Sequence, residues 1–302
     1  MPQCVWGGGI LLLSSEVALR EIWGFCDAPL SIESERYEYI FAPNQDRFRF
    51  GKHVRYNSFS QRSEEPKKGK KKKVLGCGDS VINGGSLTDQ KDLATTLFEE
   101  MTGVQMLNIS AGSWGPDNCA AYIEEKGTFD AEGIILVVSS HDAHDNMNFQ
   151  PVVGQSVAFP KKQYTLAIVE LVDRYLVPRV SSMFKSSKGS SSNPLDPDAA
   201  VNAGIQKSGK EFNPGFGQLK EIADSCGMWF SVYLHPEKNE VEAGAYNTQG
   251  EEIIAWARAN DVPLYLGLEE GEALDGFRDN IHLNELGQQR LAECFKKIYK
   301  EW

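Results

Sequence analysis

Lys73-Val74-Leu75-Gly76-Cys77 runs without a break into Gly78-Asp79-Ser80-Val81-Ile82-Asn83-Gly84-Gly85, so a short apolar run gives way to a glycine-flanked serine and then to a loop and helix. A run with little polar alternation reads as a strand buried on both faces, as in parallel sheets. Open α/β sheets bind their ligands beyond the carboxyl ends of such strands. Neither the phosphate-loop nor the dinucleotide fingerprint is present, so the turn does not point to a nucleotide.

Working outward, four more strand-like runs follow at 104–109, 133–139, 228–234 and 263–266, separated by helical stretches. The alternation predicts an α/β fold, a three-layer sandwich around a five-stranded parallel sheet. Leu93, Leu97, Phe98 and Met101 recur at helical spacing, as do Ile168, Leu171, Val172, Tyr175 and Leu176, and both stripes read as core-facing. A last helix is expected over 284–299, with Leu291, Phe295 and Ile298 inward. Residues 37–62, with Tyr37, Tyr39, Phe41, Phe48, Phe50, Val54 and Tyr56 around an Asn44-Gln45-Asp46 turn, read as a small β appendage. The Ser- and Lys-rich stretch 185–213 is either disordered or a lid or substrate-contacting arm. The expected division is a leader and appendage over 1–71 and a catalytic domain over 72–302.

The 302 residues carry a formal charge of -11, which gives no general attraction to nucleic acid or to an anionic membrane. The local exception, Lys67, Lys68 and Lys70 to Lys73, reads as a solvated linker. Six cysteines lack a C-x-x-C pair, so neither a zinc knuckle nor a thioredoxin-type motif is supported. Glu16 and Arg20 interrupt the apolar run of residues 5–25 before it reaches the roughly 18 to 20 residues that a spanning helix needs. Residues 6–13 have the apolarity of a signal or anchor core, without the basic residues that usually precede one.

Near the other end stands Asp279-Asn280-Ile281-His282-Leu283-Asn284. A carboxylate three positions before an imidazole can hold one ring nitrogen while the other faces a nucleophile. A serine hydroxyl needs such a base to attack at neutral pH, and the chain order Ser, Asp, His is one of several that give this geometry. Ser80 as nucleophile, Asp279 as orienting acid and His282 as general base are therefore the candidate catalytic residues. The plain alternatives are a helix cap at Ser80 and a surface turn at 279–282. His141, Asp142, His144 and Asp145 form a second polar cluster, in which two histidines three apart would share a helical face and could ligate a metal. His235, at the end of the fourth strand, faces either the site or the backbone.

Together the Gly78-Asp79-Ser80 and Asp279-x-x-His282-Leu283-Asn284 blocks resemble the SGNH or GDSL hydrolase family over residues 72–302. The resemblance implies a flavodoxin-like SGNH fold and ester chemistry that requires no metal and no organic cofactor. It also implies an oxyanion hole built from the amide of Ser80, an amide at Ser113 or Gly112 in the block beginning at Asn108, and a donor at His141, where the family usually has asparagine. The substrate so implied is a small acyl ester, plausibly O-acetyl on a carbohydrate. Acyl transfer to a glycan is a second reading, and a binding module with a decayed site is a third. Residues 15–20 and 37–45 resemble the leader of membrane-anchored members, which favours a catalytic domain outside the cytoplasm over a cytoplasmic enzyme with its N-terminal helix packed on the domain. The acyl chain, the alcohol and the oligomeric state are not legible in these residues.

Overall fold

The computed structural model describes residues 3–69, 72–177, 179–180, 207 and 209–302, with backbone alone over 3–10. After helix α1 (Gln3–Trp23) come two antiparallel hairpins, β1 (Ser31–Ser34) with β2 (Glu38–Phe41) and β3 (Gln45–Arg49) with β4 (Lys52–Tyr56). The central sheet contains β5 (Lys73–Gly78), β6 (Gln105–Ser110), β7 (Gly133–Ser139), β8 (Trp229–His235) and β9 (Leu264–Leu266). Its order is β6-β5-β7-β8-β9 and every pairing is parallel. The expected three-layer α/β architecture with five parallel strands is the one observed.

Burial on both faces explains why these runs are uniformly apolar. Leu75 and Cys77 of β5, with Ile134, Leu136 and Val138 of β7, pack on one side against the helices Pro116–Lys126, Gly215–Cys226 and Thr248–Ala259. Val74, Ile135 and Val137 point the other way, towards the helices Ala94–Thr102 and Glu285–Lys300. That alternation is the strand period of two, with a hydrophobic layer on each side instead of one. Each such side chain contributes roughly 1.5–3 kcal/mol by leaving water.

The order of strands also sets the site. The chain leaves β5 for β6 on one side and then returns to β7 on the other, so the carboxyl ends of β5 and β7 flank a topological switch point. Ser80 follows β5 and His141 follows β7.

Three local expectations are corrected. The Asn44-Gln45-Asp46 stretch is not a hairpin turn: Gln45 and Asp46 pair with Tyr56 and Arg55 inside β3, while Asn44, at φ 57°, joins the two hairpins. Gln45 is held there because its side-chain amide bonds the backbone of Leu30 and Ala42. The stripe at Ile168, Leu171, Val172, Tyr175 and Leu176 is not a core face. Tyr175 is buried, but Val172 and Leu176 are exposed, and the inward positions are Ala167, Glu170, Arg174 and Tyr175. The reason is electrostatic: Glu170 must face inward to meet the buried Arg49, at 2.6 Å. Lys73 and Lys67 are not a solvated linker, since Lys73 is buried with its ammonium on the Lys67 carbonyl and Lys67 pairs with Glu99.

Glu16, read from sequence as an interruption of an apolar run, closes the start of the helix Ala167–Glu170 by accepting the amides of Ala167 and Ile168 at 2.7 and 3.0 Å. Among the described residues no helix is long and apolar enough to cross a membrane. Most of the 185–213 stretch lies outside the described residues. Of its end, Lys207 is buried with its ammonium on Glu38 and Asn118, at 2.6 and 2.8 Å.

Gly78 has no room for a side chain, because a Cβ there would lie 2.5 Å from the Val137 carbonyl oxygen. Gly78→Ala is expected to destabilise the fold by about 1–3 kcal/mol, read as a lower midpoint in urea unfolding. An unchanged midpoint would mean that the β5–β7 spacing yields more easily than the packing indicates.

Candidate active site

Ser80 opens a one-turn helix, α2 (Ser80–Asn83), directly after β5. Asp79 caps that turn by accepting the Val81 amide at 2.8 Å, and Gly84 ends it in the left-handed region at φ 77°. The turn is anchored from behind. Asn83 donates to the carbonyl and hydroxyl of Ser110, both at 3.1 Å, and the fully buried Arg62 donates to the carbonyls of Asn83, Gly85 and Thr88. A buried guanidinium whose Nη donors meet backbone oxygens ties the N-terminal segment to the serine turn.

The structure brings the three candidate residues together. His282 Nε2 lies 2.9 Å from Ser80 Oγ, and His282 Nδ1 lies 2.7 Å from Asp279 Oδ2. A ring nitrogen facing a carboxylate carries the proton, which leaves Nε2 as the acceptor for the serine hydroxyl. Asp279 Oδ1 accepts the amides of Ile281 and His282 at 2.9 and 2.7 Å. Burial alone would raise this carboxyl, but the bond from His282 and the two amides outweigh it and hold Asp279 well below the usual carboxylate range.

The loop carrying Asp279 and His282 is clamped by His235, which sequence reading left undecided. His235 is fully buried, with Nδ1 at 3.0 Å from Glu272 Oε1 and Nε2 at 2.7 Å from the Ile281 carbonyl. Both neighbours are acceptors, so only the doubly protonated imidazolium satisfies both contacts. Burial opposes that charge, yet Glu272 and the Ile281 carbonyl hold His235 above the ordinary histidine value. Tyr233 also donates to Glu272, at 2.5 Å. Asn284 completes the clamp by capping the last helix at the Gly287 amide, at 3.0 Å.

A small cleft of about 90 Å³ runs past Ser80, Gly112 and His282. Gly112 borders it, while Ser113 sits one residue on at φ 58°, in the left-handed region that favours glycine. Tyr39 fixes this segment by donating to the carbonyls of Gly112 and Ser113 at 3.0 and 3.2 Å.

His141 is wrapped in acid. Its Nδ1 meets Glu237 at 3.1 Å, and its Nε2 lies 3.9–4.0 Å from carboxylate oxygens of Asp79, Asp142 and Asp145. Burial works against its charge, but Asp142, the Glu237 bond, Asp79 and Asp145 prevail and push His141 up to about 10. Burial likewise lifts Asp142 well above the carboxylate range and Asp145 up to about 6, against the pull of His141. Asp79, His141 and Asp142 are close enough to close on a metal ion. This corrects the ligand set expected from sequence: His144 turns away to Glu252, at 2.7 Å, and Asp79 takes its place. His144 lies just past the end of the 3₁₀ turn Ser140–Ala143, at φ -130° and ψ 6°, so the helical register that would align it with His141 has already been left.

No family model matches the chain, and no curated protein matches it. Among solved structures it is similar to a member of the lipolytic protein G-D-S-L family from Veillonella parvula DSM 2008, at 13% identity over 76% of this chain and 99% of that one, with a TM-score of 0.44. Est24, a carbohydrate acetylesterase from Sinorhizobium meliloti, matches at 13% identity over 77% and 100% of the two chains, with a TM-score of 0.42. The psychrotrophic esterase EstA from Pseudoalteromonas sp. matches at 11% identity over 76% and 97%, with a TM-score of 0.40. Identities and TM-scores this low carry no chemistry over to this chain.

His235→Gln tests the clamp through pH. Because the folded-state value of His235 is raised, its contribution to stability is fully present below about pH 6.5, the unfolded value, and is lost as pH rises through the folded one. The stability gap between wild type and variant, measured by urea unfolding from acid to alkaline pH, is therefore expected to narrow on the alkaline side. A gap independent of pH would mean that His235 is buried neutral.

Proposed function

We propose that this chain is a serine esterase of the SGNH kind, cleaving small acyl esters, with O-acetyl on a carbohydrate as the favoured substrate. The observation that carries the reading is the unbroken path from Asp279 through His282 to the Ser80 hydroxyl at the carboxyl end of β5. A cleft of about 90 Å³ beside it is far smaller than the usual ligand pocket of several hundred Å³ and suits a short acyl group.

In this mechanism Ser80 Oγ attacks the ester carbonyl carbon as its proton moves to His282 Nε2. Asp279 stabilises the resulting imidazolium without taking its proton. The negative oxygen of the tetrahedral intermediate is held by the amide of Ser80 and by that of Gly112 or Ser113. Each such donor is typically worth about 3–4 kcal/mol in the transition state. His141, kept charged by its carboxylates, fills the third donor's place. The intermediate collapses when His282 returns the proton to the leaving alcohol oxygen, and water, deprotonated by the same imidazole, then releases the acyl group.

Ser80→Ala is expected to lower p-nitrophenyl acetate turnover by roughly 10⁴-fold or more, with the unfolding midpoint little changed. Equal turnover in the two proteins would sink the serine mechanism. His141→Asn is expected to keep or raise activity if His141 serves only as an oxyanion donor. Collapse of activity together with loss of a bound metal would instead assign His141 to a metal site.

A further inference from the structure

The cleft that holds Ser80 and His282 is also lined by two arginines, Arg174 and Arg278, and by no carboxylate among its described residues. A cationic cleft stands out in a chain of net charge -11. Low-dielectric walls concentrate such a field on whatever enters.

Neither guanidinium is fully used by the described residues. Arg174 has a side chain only 6% exposed, and its Nε has no partner among the described residues. Its ionic contact is with Glu170, at a long 3.4 Å. That carboxylate is already engaged by Arg49 at 2.6 Å on the same oxygen and by the Cys26 amide at 2.5 Å on the other. Among the described residues, two buried arginines therefore share the one Glu170 oxygen. Burying a charged donor without a partner is unfavourable, and a bound anion would offset that cost.

Arg278 stands directly before Asp279. Its amide donates to the His282 carbonyl at 2.8 Å, so its backbone belongs to the triad loop, while its side-chain Nε is buried without a partner among the described residues. Arg62 lies behind it with its Nη donors committed to backbone carbonyls, so it adds positive potential and offers those donors to no ligand. Arg174 is delivered by a π-helical segment, Leu171–Leu176, a wider turn that is frequent at functional sites. There it brings Arg174 and Tyr175 inward and leaves Val172 and Leu176 in solvent.

We propose that the ester substrate carries an anionic group, a carboxylate or sulfate, that binds Arg278 and Arg174 beside the reacting carbonyl. The inference rests on the esterase reading and adds a substrate class to it. A planar guanidinium pair suits such oxyanions through two parallel N–H donors on each side chain. The anion belongs either to the acyl part or to the alcohol part, and the two are separable by experiment.

Matched esters decide the question. On the acyl side, monomethyl succinate is compared with methyl levulinate, in which an acetyl group replaces the carboxylate. On the alcohol side, 4-acetoxybenzoate is compared with 4-acetoxybenzamide. In wild type the anionic member of one pair is expected to exceed its neutral partner in kcat/KM by about tenfold or more, and the pair that responds identifies where the anion resides. Arg278→Gln is expected to bring that ratio close to one, chiefly through KM, and Arg278→Lys to restore part of it. Inorganic sulfate, titrated by calorimetry, is expected to bind wild type and to bind Arg278→Gln about tenfold more weakly. Turnover of p-nitrophenyl acetate with both ratios near one would overturn the anion subsite and leave the esterase intact. If no ester is turned over, the esterase reading fails on its own. Calorimetry then decides the anion site: sulfate binding that depends on Arg278 supports it, and no sulfate binding overturns it.

Discussion

Strand β5 is hydrogen-bonded on both sides and ends at Gly78, whose backbone lies against the Val137 carbonyl of β7. The rest of the site depends on that ending. Because the chain goes to β6 on one side and to β7 on the other, no crossover covers the carboxyl end of β5, and the turn that begins at Ser80 opens into a cleft. A serine anywhere else along β5 would be buried between two hydrophobic layers, with no room for a substrate.

Around that turn the molecule uses buried charge as a positioning device. Arg62 collects three backbone carbonyls behind the serine, His235 holds the Ile281 carbonyl between Asp279 and His282, and Arg49 draws Glu170 and so the Arg174 helix inward. Each of these groups carries a desolvation cost that apolar packing would avoid. The return is direction: a hydrogen bond to a charged group fixes an angle and a distance, whereas a leucine in the same place would fix neither. His141 is the extreme case, one imidazole set against four carboxylates on the β7 side of the serine. Beside it, burial lifts Asp145 to about 6 against the pull of the same imidazole.

The hairpins of residues 31–56 are part of this arrangement as well. Tyr37, Tyr39 and Ile40 enter the same hydrophobic layer as the sheet, and the Tyr39 hydroxyl fixes the Gly112–Ser113 backbone that borders the cleft. The Trp114 indole returns a bond to the Tyr39 carbonyl, at 2.8 Å. The aromatic residues that stood out in the sequence as an appendage are thus the support of one wall of the site.

The sequence by itself determined the sheet and singled out three side chains, Ser80, Asp279 and His282, that the fold brings within hydrogen-bond distance of one another. Five apolar runs can be buried on both faces only between two helical layers. It also carried the stripe of the last helix, because Leu291, Phe295 and Ile298 obey a local period. Tertiary structure alone decided the parts whose partners are distant in the chain. Helical spacing put Val172 and Leu176 in the core, but a single ion pair with Arg49, over a hundred residues away, turned that face outward. Likewise Gln45 reads as a turn residue until Leu30 and Ala42 offer it backbone partners, and His144 reads as a neighbour of His141 until Glu252 takes its ring. Nothing local marks Arg62, Arg174 or Arg278, because an isolated arginine has no period and no spacing. Periodicity records which faces are apolar, whereas the direction of a charged side chain is set by a partner that only folding brings near.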